Sequence, residues 1–178
     1  MICLRRMVVV VLCISFSCIY SNAMAASLSD VALGVRVATN IDDEDFTQYE
    51  VFGAVPLPWR SHLSNGWEFE TMLDLSIGVM EAENDTGGKF TAAVDALFYS
   101  PDRTLSLVAA MGIGVMTREV YDGVDFAGPV FFRFQGGLNY WLNQSFSVGY
   151  RFLHESNGSM YDKNPSLNMH QFEMRVHF

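Results

Sequence analysis

The chain has 178 residues, about the length of one domain. Half of them are apolar, 13% are aromatic and 17% are charged, and the mean hydropathy is +0.17. This composition excludes a disordered chain, and twenty acidic residues against eleven basic ones exclude a nucleic-acid binder that works by charge.

Arg5 and Arg6 precede an apolar run from Met7 to Tyr20, and Ser21-Asn22-Ala23-Met24-Ala25 follows it. A charged start, a short apolar stretch and small residues at Ala23 and Ala25 predict a secretory signal peptide over residues 1–25. The run is shorter than the ~20 residues a helical span requires. Cys3, Cys13 and Cys18 all lie in this segment. The expected mature chain, residues 26–178, therefore has no disulfide, thiol nucleophile or thiolate metal site. Loss of Arg5 and Arg6 takes its net charge from −9 to −11.

From there the apolar pattern has period two, the spacing of β-strands. Val31, Leu33, Val35 and Val37 share one face, and so do Tyr49, Val51, Gly53 and Val55. The longest alternation runs from Trp67 to Val79, with Glu68, Glu70 and Asp74 on its second face. Phe90 to Phe98, Leu105 to Val115, Val130 to Asn139, Phe146 to Phe152 and Gln171 to Phe178 repeat it. Eight strands result, an even number. In each, one face is large and apolar and the other is small, polar or charged. The second faces carry Glu68, Glu70, Asp74, Asp95, Arg133, Arg151, Glu173 and Arg175. So many charges suit a narrow, hydrogen-bonded interior with the apolar face turned to lipid. Closure leaves no strand edge and satisfies every backbone group, as a membrane requires. The predicted fold is an all-β, eight-stranded antiparallel transmembrane barrel of the bacterial outer membrane.

Trp67, Phe98, Tyr99, Tyr140 and Trp141 lie at strand ends and are expected to form interfacial girdles. The connections 40–46, 80–88, 117–128 and 157–166 are polar and fairly long, whereas 99–104 and 142–144 are tight. The stretch 56–66 reads as a connection too long for a periplasmic turn. Asp42, Asp43, Glu44, Asp45, Glu81, Glu83, Asp85, Glu119, Asp122 and Asp125 make the outward loops acidic, which reads as a solvated rim. No ligand spacing there demands a metal.

Chemistry concentrates in Tyr150-Arg151-Phe152-Leu153-His154-Glu155-Ser156-Asn157. Residues i and i+2 share a strand face. Tyr150, Phe152, His154 and Ser156 therefore continue the lipid-facing row. A base and a hydroxyl on one face suggest a serine nucleophile activated by histidine. Asn168 and His170 share the parity of Phe172, so they face the same way. A hairpin pairing residue 154 with residue 168 sets Asn168 beside His154, where an amide oxygen can hold the imidazole's other nitrogen. His170 is a second possible base, but no serine lies two residues from it. His62 and His177 read as incidental, one in a turn and the other facing the interior.

Those residues carry a resemblance. Tyr150-Arg151, then His154-Glu155-Ser156-Asn157, then a polar loop with Asn164-Pro165, then a strand ending on Phe178 resemble the bacterial outer-membrane lipid A 3-O-deacylase family, also described as acyloxyacyl-hydrolase-like. The resemblance in length, leader and strand count spans the chain, and its specific motif covers residues 149–178. It implies a serine esterase that removes the acyl chain ester-linked at position 3 of lipid A. It implies His154 as general base and Ser156 as nucleophile. The acidic triad member falls on Asn168, a departure from the Glu best known there, with Asp162 a less favoured substitute. The implied oxyanion donors are Asn164 and a backbone N–H near Ser159, with Asn157 as another. The substrate partner is lipid A or lipopolysaccharide in the outer membrane, with no nucleic acid, and a homodimer is left open. Acyl transfer to water requires no metal or cofactor. The competing readings are a non-catalytic barrel with a structural or adhesive role, and a small porin. The second conflicts with the side-chain-filled interior expected of eight strands.

Overall fold

The computed structural model describes residues 31–42 and 45–178. The expected signal peptide lies outside the described residues. Eight long strands form one closed antiparallel barrel. They are β1 (Ala32–Asn40), β2 (Thr47–His62), β3 (Glu68–Glu81), β4 (Thr86–Tyr99) and β5 (Leu105–Met116), then, after a short hairpin, β8 (Val130–Asn143), β9 (Phe146–Ser156) and β10 (Ser166–His177). The hairpin is β6 (Val120–Tyr121) with β7 (Val124–Asp125). Sequence neighbours pair around the wall, and β1 pairs β10 to close it. An even strand number returns both ends of the barrel chain to the short-turn end, where Phe178 N–H donates to Val31 O at 3.1 Å.

The two faces separate as the alternation requires. Leu33, Val51, Ile77, Phe90, Met111, Ile113, Phe134, Phe152, Phe172 and Met174 point outward and are exposed. Arg36, Glu50, Asp74, Lys89, Asp95, Arg133, Arg151, Glu155, Glu173 and Arg175 point inward and are buried. Their charges pair across the lumen. Arg36 binds Asp74, and its Nε reaches Glu173 at 3.0 Å. Arg151 reaches Asp95 and Glu173, both at 3.1 Å. Arg133 holds Glu50 at 2.9 Å and Glu155 at 2.8 Å. In hydrocarbon these groups would cost several kcal/mol each, on the order expected for unpaired buried ions; enclosed and paired, they fill the barrel instead.

Apolar layers cap this ionic middle. At the short-turn end Ala32, Ala54, Met72, Leu97, Tyr99 and Val108 pack together with Trp141 against them. At the long-loop end Phe46, Met80, Met116, Tyr121, Phe126, Phe131, Leu153, Leu167 and Met169 form the other layer. Side chains thus occupy the interior from end to end, which removes the porin reading.

Two expectations are corrected. Tyr99 and Trp141 do not belong to an outer girdle. Their rings pack at 5.8 Å as part of the inner cap, and Trp141 also lies 4.2 Å from His177. Their odd numbers give them the inward parity of Leu97 and Asn139. The stretch 56–66 is mostly strand. β2 continues through Pro56 and Pro58 to His62, and its register against β3 shifts between Pro56 and Arg60. Leu57, Pro58 and Trp59 oppose Thr71 alone, a bulge that takes Pro58 out of the ladder, while Pro56 stands at its edge, beyond the last residue that β1 pairs. The turn shrinks to residues 63–67, and His62 ends a strand. The 117–128 connection, polar and fairly long as expected, carries the β6–β7 hairpin. Asp122 and Gly123 both have positive φ, 43° and 90°, the backbone that a two-residue hairpin turn demands and that Asp-Gly supplies.

Candidate active site

The site lies on the outer wall at the long-loop end, where β9 and β10 pair. Along β9 the odd-numbered Arg151, Leu153 and Glu155 are buried, as is Asn157 just past its end, while His154 and Ser156 face outward and are half-buried. Glu155 sets this orientation. Between His154 and Ser156 in sequence, it turns inward to Arg133, to Gln48 at 2.9 Å and to Lys89. Since strand side chains alternate, anchoring Glu155 in the lumen fixes its two neighbours outside.

The β9–β10 register sets Asn168 directly opposite His154 and Ser166 opposite Ser156. The expected juxtaposition is present. His154 Nδ1 and Asn168 Oδ1 are 2.9 Å apart. An amide oxygen only accepts, so the proton of this bond sits on Nδ1 and leaves Nε2 free as a base. Asn168 Nδ2 donates to Asp42 Oδ2 at 3.2 Å. Ser156, two residues from His154 on the same face, lies ~7 Å along the strand from it by strand rise. No hydrogen bond joins the two among the described residues. Such contacts are commonly long without substrate and tighten in the reacting complex.

The loop after Ser156 is built around Asn157. Its Nδ2 donates to Phe126 O at 3.0 Å and Lys163 O at 2.6 Å, and its Oδ1 accepts from Ser159 N–H at 2.9 Å. All its amide atoms are thus committed to tying the loop to itself and to the segment after β7. Gly158 and Ser159 both have φ of +61°, a left-handed pair that turns the chain sharply away from β9. Asn164 Oδ1 accepts from Asn157 N–H at 3.1 Å, and its Nδ2 approaches Ser159 Oγ at 3.4 Å. Asn164 is exposed and Nδ2 has the loosest contact in the loop. Lys163 pairs with Asp125 at 2.6 Å, and this hydrogen bond holds the Asp125 carboxyl below the usual carboxylate range. Asp162 is exposed and makes no bond to His154.

Asn157→Ala leaves three partners unsatisfied at the loop. The expected outcome is a folded barrel whose 158–163 segment is cut faster by added protease. Cleavage at the rate of the parent chain would contradict that structural role.

Sequence reasoning missed two features. Asp42 read as one acid of a solvated rim, yet it touches Asn168. Tyr150 and His170, also on the outer face, bond to each other through the phenol oxygen and Nδ1 at 2.7 Å. His170 therefore has a tyrosine as its partner and not a serine. Alternation carried the signal for that pair, since both lie in the outward row. Nothing local carried it for Asp42. Among the described residues no group of His, Cys, Asp and Glu has an arrangement suited to a metal.

Comparison with known proteins fixes the family. The family model described as lipid A 3-O-deacylase (PagL) matches residues 47–177. The chain belongs to the PagL family. A comparison with curated protein sequences found no match. Among solved structures, the outer-membrane enzyme PagL is similar at a TM-score of 0.72 and 11% identity, covering 83% of this chain and 99% of that one. The N-terminal barrel domain of Pseudomonas aeruginosa OprF is similar at 0.54 and 15% identity, covering 84% and 98%. A de novo designed transmembrane β-barrel is similar at 0.59 and 11%, covering 84% and 96%. At these identities the structural likeness shows the fold. Family and fold together place this PagL-family barrel in the bacterial outer membrane and favour lipid A deacylation over a non-catalytic role.

Proposed function

We propose that the chain is a serine esterase that hydrolyses the 3-hydroxyacyl chain ester-linked at position 3 of lipid A, after export directed by residues 1–25. The observation that carries this reading is the His154–Asn168 bond on the outward face, on the strand that also presents Ser156. A base with its tautomer set by an acceptor, on the same strand face as a hydroxyl two residues away, is an arrangement that can activate a serine once substrate draws the two together.

In this mechanism Ser156 Oγ attacks the ester carbonyl as His154 Nε2 takes its proton. The carbonyl oxygen becomes an oxyanion. Asn164 Nδ2, turned from Ser159 Oγ, donates to it, and the left-handed turn at Ser159 is the second source of a donor once Ser159 N–H leaves Asn157. The sugar 3-oxygen then departs with the proton held on Nε2. Water repeats the sequence on the acyl-enzyme, releases the 3-hydroxy fatty acid and restores Ser156. The location suits the substrate. An outer-leaflet lipid diffuses laterally against the wall, so no passage through the filled barrel is needed.

An alkyl fluorophosphonate incubated with the protein should label Ser156, read by peptide mass spectrometry. His154→Ala should abolish labelling. A label on another residue, or labelling undiminished by His154→Ala, refutes the assignment. Asn168→Glu should retain or raise turnover, because a carboxylate stabilises imidazolium better than an amide. A complete loss on that change would show the third member misplaced.

A further inference from the structure

The carboxylate missing from the His154–Asn168 pair stands one hydrogen bond further on. Asn168 uses both ends of its amide: Oδ1 faces His154 Nδ1 at 2.9 Å, and Nδ2 faces Asp42 Oδ2 at 3.2 Å. Backbone contacts deliver Asp42 to this position. Asn40 pairs with Met169 at the end of the closing ladder, and Ile41 N–H donates to Asn168 O at 2.8 Å. The next residue is Asp42. The segment leaving β1 is therefore fastened to the same Asn168 that its carboxylate contacts.

This arrangement settles an ambiguity built into an asparagine triad member. A side-chain amide can present either its oxygen or its NH₂ to the imidazole. With the NH₂ toward His154, Nδ1 would have to accept, the ring proton would move to Nε2, and no base would be left for Ser156. A carboxylate accepts and does not donate, so it bonds the NH₂ end alone. Asp42 thereby selects the rotamer in which Oδ1 meets His154. It also polarises the amide, since hydrogen bonds in a chain strengthen one another, and so passes part of a carboxylate's stabilisation to the imidazolium.

We propose that Asp42 is a positioning residue of the deacylase, completing a His154–Asn168–Asp42 relay in which Asn168 and Asp42 together replace one acidic side chain. This rests on the reading of His154 as the base for Ser156. Asp42 touches neither substrate nor the reacting atoms.

The test uses the full chain refolded in detergent, with lipid A as substrate, and compares kcat and KM in two backgrounds. In the native background Asp42→Ala and Asp42→Asn should lower kcat about 10- to 100-fold, the range for losing an outer partner that orients a group in contact with an active imidazole. KM should stay within about twofold, since Asp42 binds no substrate. In the Asn168→Glu background, Asp42→Ala should leave kcat within about twofold or raise it. There the new carboxylate reaches the imidazole directly, and its neighbour only repels it. Unchanged kcat in the native background overturns the proposal. An equal fall in both backgrounds also overturns it, because it shows a loop tether and no relay. A parent chain that neither turns over lipid A nor takes the fluorophosphonate at Ser156 removes the underlying deacylase reading, and the relay with it. That result is distinct from an active parent indifferent to Asp42.

Discussion

Ser156→Ala should leave the lipid A of expressing cells at its full mass, while the parent chain removes one 3-hydroxyacyl group. Loss of the nucleophile removes the covalent route altogether, so the expected fall is at least about 10⁴-fold, the lower range for removing a member of a serine triad. The substitution deletes one oxygen from a half-buried outer position and should leave barrel folding untouched, which a heat-modifiable gel shift checks. Ser166 supplies the control. It sits directly opposite Ser156 on β10 and faces the same way, two residues from Asn168 rather than from the base. Ser166→Ala should keep activity within about twofold. If Ser166→Ala were the inactive variant, the nucleophile would belong to β10 and the assignment on β9 would fail.

Arg133→Met should give the largest loss of stability. Arg133 is 1% exposed and binds Glu50, Glu155 and Gln48. Removing its charge leaves buried Glu50 with Arg36 alone, at 3.8 Å, and buried Glu155 with Lys89 and Gln48, and breaking a buried pair in this way costs about 3–5 kcal/mol. Methionine keeps the volume, so the loss reports charge rather than a cavity. Guanidinium unfolding in lipid vesicles, followed by tryptophan fluorescence, should show a markedly lower midpoint. Turnover should fall too, although Arg133 lies inside the barrel and the substrate outside. The link is Glu155, which Arg133 holds in the lumen between the two outward groups. An unchanged midpoint would show that Arg36, Lys89 and water hold those carboxylates without Arg133.

Much of this was legible in the sequence because period two assigns a face to every residue. The outward row of β9, the inward charges and the strand number all follow from parity. The hairpin register could be reached too, since β9 and β10 are joined by one loop and Asn168 is only fourteen residues from His154. Parity also held the correction for Tyr99 and Trp141, but aromatic type at a strand end suggested a girdle. Proline-rich composition hid the far half of β2, because a bulge tolerates what a regular ladder does not. Asp42 was out of reach for a different reason. Its contact with Asn168 spans 126 positions and exists only because β1 closes against β10. Alternation fixes faces, whereas closure fixes which distant residues meet.

The most direct measurement is hydrolysis of lipid A by the purified protein in ¹⁸O-labelled water. One released 3-hydroxy fatty acid should carry ¹⁸O in its carboxyl group and the sugar should keep ¹⁶O at position 3, with neither product formed by Ser156→Ala. Label on the sugar oxygen, or the same release by Ser156→Ala, would contradict acyl transfer through the serine on the outer face of the barrel.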